Sequence, residues 1–598
     1  MNGGFWYPLT WINGFLTGYT AYSFTIEEFI HFPIAAAGMY LLSGYYRLQQ
    51  PAKIISAISY ACCGYFIAHT QHYNWITGAA WLPWCLVTMY RCMDIRSLKN
   101  LSAGVLAFSM FFSGSHPGLI IGSLYFFLIM AAIHARENGT FIAAAKNLLT
   151  LAVLVLLVMA GLIYSYAEII PLFTRAGKIS TDEIAVYSTL PKSFFSFLLP
   201  LPFTRTGGEI SMNNLYTGLL IMVSVMAGLF RNRKSADFFL PATALFFLLI
   251  STNFPISLWI IQKLPLLQYV RLNGELRIFG ILPLLLYGAI QFDALFSHHK
   301  KYLRNTCYIM SGALLLLCIS AIFLYPGSLS ALAGAIEHLA SLGTTGSLKE
   351  IIHAIGFGES LVLQSSIQAV LLWLMATCLM KKEQWLIWLV GLDLILATLL
   401  NLPSTGVSMR PVSAIQSVID QSPEGFPVPS TGPEKNIYSA FPDTDTITGN
   451  WSYYSKQIAI EKWHPYPMLL MHTQKYFDSA HEQLQQRNTG FILTEDSSEI
   501  NIKNYKPGAF LLNVSAGIDT RLIIKQNQYP GWITMVNKIQ VNPGTAYYTF
   551  PVIPIKKGHY EISYVFRKPL VIFLFIMYWA TLIVLIVALL FSDYRNRN

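Results

Sequence analysis

PLVIFLFIMYWATLIVLIVALLFSDYRNRN, residues 569–598, is the stretch whose reading decides the kind of protein this is. From Pro569 to Ser592 it carries no charge, and Arg595 and Arg597 follow. A run of this length crosses ~30 Å of hydrocarbon as a helix, and arginines just beyond it mark the cytoplasmic flank. Working back from it, twelve more apolar stretches appear, at 24–46, 51–70, 74–92, 99–114, 118–136, 146–166, 214–230, 237–251, 273–293, 304–325, 358–380 and 384–401. Two of them, 99–114 and 237–251, are short enough for re-entrant segments. With 54% hydrophobic and 12% charged residues, the composition lies far from that of a soluble domain.

Basic residues give the orientation. Arg47 and Lys53 flank one link; Arg91, Arg96 and Lys99 the next on that side; then come Arg136 with Lys146, and Arg231, Arg233 and Lys234. Lys300, Lys301 and Arg304 continue the series, and Lys381 and Lys382 close it before the tail. All fall on one side if the spans simply alternate, so that side is cytoplasmic. The net charge of +10 belongs largely to this fringe and gives no support to nucleic-acid binding. The expected location is a bacterial plasma membrane, with the C-terminus inside and loops 167–213, 326–357 and 403–568 outside. Thirteen spans also place Met1 outside. Residues 1–23 read as aromatic, uncharged and turn-rich, and the alternative is that a first helix and its outer loop are missing upstream.

The expected fold class is mainly α: a polytopic transmembrane bundle with a small extracytoplasmic β-sandwich before the last helix. Residues 1–402 form the multi-spanning domain, 403–568 the outer domain, and 569–598 the final helix with its basic tail. Within the outer domain, 403–450 is rich in Pro, Ser, Thr, Gly and Asp and reads as a linker; 451–487 is helical or mixed. Beyond it stand alternating apolar runs: AFLLNVSA (509–516), TRLIIKQNQ (520–528), WITMVNKIQV (532–541), AYYTFPVIPI (546–555) and HYEISYVF (559–566). Turn residues separate them, at Tyr529–Trp532, Asn542–Gly544 and Lys556–His559, as in an antiparallel sandwich. All seven cysteines lie in or beside apolar spans, so disulfides do not hold the outer domain. No cluster of ligands has metal-site spacing, and no metal is expected.

The order LIIKQNQ (522–528), YPGW (529–532), apolar strand, KKGHYEISYVF (556–566) and closing helix resembles the C-terminal end of the YfhO family of bacterial membrane proteins. HTQHYNWITGAAWLPW (69–84), SGSHPG (113–118), NNLYTGLL (213–220) and LPLLQYVRLNGELRIFG (264–280) fit the same layout, so the resemblance covers most of the chain. It implies a GT-C-type glycosyltransferase that takes a sugar from a polyprenyl-phosphate carrier and gives it to an envelope glycopolymer, lipid or protein. The donor is a substrate; no cofactor is implied. Membrane lipid is the other partner. In such enzymes the acidic catalytic residue lies in the first outer loop, which here falls upstream of Met1, so either the base is missing or another carboxylate acts.

Transfer from a lipid phosphate needs a carboxylate to take the acceptor's proton, cations beside the leaving phosphate, and aromatic surface for the sugar. Arg271 and Arg277 are the cation candidates: they flank Asn273 and Glu275 at an outer boundary, against the positive-inside trend, and arginine binds phosphate bidentately. The plainer reading is a salt bridge to Glu275. His72 and His116 sit in outer corners where an imidazole can bond a phosphate or sugar hydroxyl; more often such residues are satisfied interfacial groups. Glu27 and Glu28 stand at the mouth of the first span and are as well explained as caps of its N-terminus. Asp182 and Glu183 precede the interfacial run PKSFFSFLLPLPF (191–203), where a solvated loop is the plainer reading. Asp393 lies inside a span, where a carboxylate is costly and by default functional, or else bonds a neighbouring helix. Trp532 reads as sandwich packing, with glycan stacking as the alternative. A lipid or polysaccharide transporter, or a non-catalytic envelope scaffold, remains the competing class. A transporter would be expected to show repeated halves, and no internal repeat is evident.

Overall fold

The computed structural model describes residues 6–18, 20–70, 72–169, 179–200, 210–231, 238–342, 355–381, 383–401, 411–420, 492–494, 498–506, 508–524, 530–546 and 550–595. The linker and mixed stretch expected at 403–487 lie almost wholly outside them. The chain is mainly helical, and each of the thirteen apolar stretches is helical over most of its length. Among the described residues seven helices are long and apolar enough to cross a membrane: Gln50–Ala68, Pro117–Asn138, Phe141–Val158, Asn273–His298, Lys300–Leu324, Phe357–Met380 and Pro569–Phe591. Ala21–Tyr45 and Tyr73–Asp94 have the length but are richer in polar side chains. Leu219–Arg231, Phe239–Ile250 and Leu386–Asn401 are apolar but shorter.

Three local expectations change. Residues 1–23 are not all turn, because Pro8–Thr17 is a helix, begun by proline at its first position and stopped by Gly18 in the left-handed region (φ +70°). The loop expected at 326–357 contains the helix Ser328–Leu342, and another, Pro255–Lys263, precedes the 273–293 stretch. Span 51–70 is two pieces, Gln50–Ala61 and Gly64–Ala68, interrupted at Cys62–Cys63.

The chain forms two compact units, one of residues 1–159, 178–409 and 580–598, the other of 160–177 and 410–579. In the first, Asn273–His298 is the central helix, with 83% of its most apolar window buried, whereas Phe141–Val158 and Lys300–Leu324 bury only 17% and 28%. The latter two present Phe141, Ile142, Leu149, Leu156, Leu157, Leu316 and Phe323 outward, an apolar surface suited to lipid and ill suited to water. Alternate links meet at one end. There Tyr45 donates to Asp94 (2.6 Å), His134 pairs with Asp94 (2.8 Å), and the Gln49 amide donates to Asp293 (3.0 Å). The other links, 69–73, 115–117, 187–216 and 250–277, interlock through hydrogen bonds described below.

The second unit holds two antiparallel sheets, with β1 Ile492–Thr494, β2 Glu499–Lys506, β3 Ala509–Ala516, β4 Thr520–Ile524, β5 Trp532–Val536, β6 Ile539–Val541, β7 Gly544–Ala546, β8 Phe550–Ile555 and β9 Gly558–Phe566. Their orders are β1-β4-β8-β7 and β2-β3-β9-β5-β6. Strand β3 alternates half-buried and buried positions, as a strand with one face on a core must. Phe510, Leu512, Val514 and Ala516 of β3 meet Leu522, Ile524, Ile553 and Ile555 of the facing sheet. The run 532–541 is a hairpin rather than one strand. Asn537 and Lys538 both have positive φ (48° and 67°), and Val536 pairs with Ile539 across them. Trp532 stacks on Tyr564 at 4.4 Å with planes 8° apart, which gives it the packing role. The helix Ala160–Ile169 belongs to this unit too: Lys568 forms an ion pair with Glu168.

Candidate functional site

The interlocked links of the first unit are held together by asparagines and one arginine. Asn273 donates to the carbonyls of Ile250 and Thr252 (3.2 Å each) and accepts from Ser188 (2.7 Å). Asn213 accepts from the Leu190 amide and Ser193, both at 2.8 Å. Arg277 is fully enclosed. Its guanidinium donates to the carbonyls of Ser211 (2.6 Å), Gly274 (2.8 Å) and Asn214 (3.3 Å) and to His69 Nε2 (2.9 Å), and lies over the Tyr65 ring at 4.7 Å. A buried guanidinium committed to four protein acceptors holds loops in register; a bound phosphate would have to break those bonds. Of the two cations expected from the sequence, Arg277 is therefore a framework residue.

Arg271 differs. It is about a quarter exposed, pairs through Nε with Glu183 at 2.9 Å, donates to the Tyr187 hydroxyl and lies over the Tyr187 ring at 4.2 Å. Its carboxylate partner is thus Glu183 and not Glu275. Glu183 sits in the first turn of Thr181–Val186, whose N-cap Ser180 accepts from the Glu183 amide (3.2 Å). Asp182 lies in the same turn on the exposed side.

Glu275 pairs with His116 instead. The carboxyl is fully buried, Oε2 accepts from His116 Nδ1 at 2.9 Å, and Oε1 has no hydrogen-bond partner among the described residues. It lies at the N-terminus of the Pro117–Asn138 helix, beside the residue that precedes its first turn, His116. Gly118 makes the approach feasible, since a Cβ there would fall 1.6 Å from Oε1. His116 is 16% exposed and reaches the surface that Glu275 does not.

His72 completes the group. It stacks on Trp75 at 4.1 Å, and the edges of His69 and His116 face the same indole at 4.3 and 5.5 Å. Because Arg277 donates to His69 Nε2, the His69 proton is on Nδ1 and points at His72 Nδ1, 3.4 Å away. His72 then carries its proton on Nε2. Burial, with His116 and Arg277 nearby, pushes His72 down to about 4, so it is neutral at neutral pH. No group of three or more His, Cys, Asp or Glu able to hold a metal occurs among the described residues.

The other two candidates lie apart. The Ala21–Tyr45 helix is capped by Thr20, whose side chain accepts from the Ser23 amide (3.2 Å). Glu27 and Glu28 are one turn too deep to act as caps. Glu27 accepts from Thr10 (2.6 Å), Asn13 (2.6 Å) and Tyr73, which fastens Pro8–Thr17 to its neighbours. Glu28 keeps one buried oxygen, Oε1, without a partner.

The sequence expectation named His72, His116, Arg271, Arg277 and Glu183, but treated Glu275 only as a neighbour of the arginines. A lone carboxylate between two arginines at the start of an apolar stretch was its signal. The partner, 159 positions earlier, gave none. The chain matches no known family model, no curated protein and no solved structure.

Proposed function

We propose that this chain is a membrane glycosyltransferase, of the GT-C type its motifs resemble, moving a sugar from a polyprenyl-phosphate carrier to an envelope acceptor outside a bacterial plasma membrane. The observation that carries the reading is the His116–Glu275 pair, whose carboxylate shares the 250–277 link with the partly exposed Arg271. In this reading the thirteen helical stretches all cross, and the interlocked loops face outward. His116 takes the proton of the acceptor hydroxyl as its oxygen attacks the anomeric carbon. The bond from that carbon to the phosphate oxygen breaks, and polyprenyl phosphate leaves with the electron pair. Glu275 orients the imidazole and stabilises the imidazolium that forms. Arg271 meets the leaving phosphate, and His72 Nε2–H donates to the phosphate or a sugar hydroxyl.

The test uses membranes containing the full chain, supplied with radiolabelled polyprenyl-phosphate sugars and envelope acceptors. Label should pass to an acceptor, and His116→Ala and Glu275→Gln should each lower the rate ~100-fold or more. Absence of transfer, or transfer unaffected by both substitutions, overturns the reading.

A further inference from the structure

A second polar centre lies in the helical body, apart from the loop cluster. Asp393 stands mid-way along Leu386–Asn401 and is fully buried. It accepts from the Tyr216 hydroxyl and, through Oδ2, from the Leu219 amide at 2.9 Å. Among the described residues no cation pairs with it. Leu219 opens the Leu219–Arg231 helix, and the residue before it, Gly218, is in the left-handed region at φ +88°. The segment entering that helix is therefore unwound beside the carboxylate.

Around this point the protein leaves polar atoms without partners. Among the described residues Ser59 Oγ and Thr217 Oγ1 have no hydrogen-bond partner and the Gln368 amide has none but the Tyr216 hydroxyl, and all three residues are fully enclosed. Gln368 lies beside the Tyr216 hydroxyl. Ser59 Oγ and Asp393 Oδ2 face the same glycine: a Cβ on Gly218 would lie 3.3 Å from the first and 3.7 Å from the second, with Leu394 Cδ2 also at 3.7 Å. A buried polar atom left unbonded loses its water without compensation. Several of them around one carboxylate is therefore improbable unless something occupies the space.

We propose that this pocket binds a sodium ion, held by Asp393, the hydroxyls of Ser59 and Thr217 and the amide oxygen of Gln368. The donors are hard oxygens, which suit an alkali or alkaline-earth cation over a soft metal. One carboxylate balances a single positive charge, so a divalent ion would leave net charge buried in a low-dielectric body. An unwound helix entry next to an intramembrane carboxylate is the kind of place where backbone and side-chain oxygens replace a cation's water. The ion ties the Gln50–Ala61, Phe357–Lys381 and Leu386–Asn401 helices to the start of Leu219–Arg231, so its expected role is to lock their packing. This inference is independent of the glycosyltransferase reading.

The experiment is thermal unfolding of the detergent-purified full chain in sodium, potassium or choline chloride at fixed ionic strength. Sodium should raise the melting temperature saturably over choline, and Asp393→Asn should abolish the difference. Because Asp393→Asn also removes the acceptor of Tyr216 and the Leu219 amide, Ser59→Ala supplies the second arm. With no ion present, removing an unbonded buried hydroxyl leaves stability unchanged or improves it. With sodium bound, the same change should leave melting in choline unaltered and raise the sodium concentration for half-effect by about tenfold, a loss of about 1.4 kcal/mol. Equal melting in all three salts, an effect from potassium alone, or a sodium response untouched by Ser59→Ala would overturn the proposal.

Discussion

Glu27 and Glu275 are both buried carboxylates in the helical unit, and they are treated in opposite ways. Glu27 accepts from three donors that converge on it from two other segments. Among the described residues the Glu275 carboxylate has a single hydrogen-bond partner, His116, and one buried oxygen left over. A saturated carboxylate is a fastening, because its removal strands every donor around it. An unsaturated one, coupled to an imidazole that reaches the surface, keeps capacity for charge that arrives during a reaction. The two arginines divide along the same line: Arg277 is spent on four acceptors inside the protein, whereas Arg271 leans on a tyrosine ring at the edge.

Replacement of Arg277 by Met should have the greatest effect. It strands three carbonyls and removes the enclosed cation that interacts with Glu275, at a cost of about 3–5 kcal/mol, and chemical unfolding of the purified protein would register it. Retained stability would mean the loops do not depend on the guanidinium. The same isosteric change then separates the two acids. Glu27→Gln presents an amide N–H₂ to groups that are themselves donors and should cost about 1–3 kcal/mol, with transfer lowered only in step with the folded fraction. Glu275→Gln keeps an acceptor for His116 and should shift stability by less than about 1 kcal/mol, yet depress transfer ~100-fold. If both variants behaved alike, the distinction drawn here between fastening and poised acid would be broken.

A smaller effect is expected at the rim. Arg271→Ala should raise the donor concentration for half-maximal rate about tenfold, a change of about 1.4 kcal/mol, while stability moves by under ~1 kcal/mol because the Glu183 pair is partly exposed. An unchanged donor dependence removes Arg271 from the site. The mildest test is pH. His72 is held below its ordinary value in the folded chain, so the unfolded chain binds more protons between about 6.5 and about 4. Stability contributed by the neutral ring is complete above pH ~6.5 and is lost as pH falls toward 4. His72→Asn should flatten that slope in a melting series; a slope identical to wild type would place the titration elsewhere.

Much of the scaffold was legible in the sequence because apolar length is a local property. The stretches 118–136, 304–325 and 358–380 became helices with boundaries shifted by only a few residues. The sandwich strands at 509–516 and 558–566 were readable from their alternation. The misread pieces have local causes too. The run 532–541 looks continuous until Asn537 and Lys538 are seen to turn with positive φ, and Pro8–Thr17 is amphipathic enough to pass for turn-rich sequence. The pairings in the site were not legible. His116 with Glu275, Arg271 with Glu183 and Asp393 with Tyr216 join positions 159, 88 and 177 apart, and no periodicity encodes such distances.

By itself, the sequence determined that long apolar segments alternate with basic links and that an alternating β body precedes the last of them. Both follow from how side chains partition between water and hydrocarbon, which each segment settles alone. Which carboxylate is saturated, which arginine is enclosed and where buried oxygens are left unbonded were decided only by the tertiary structure. Hydrogen bonding and burial are properties of neighbours, and the neighbours here are brought together from segments far apart in the chain.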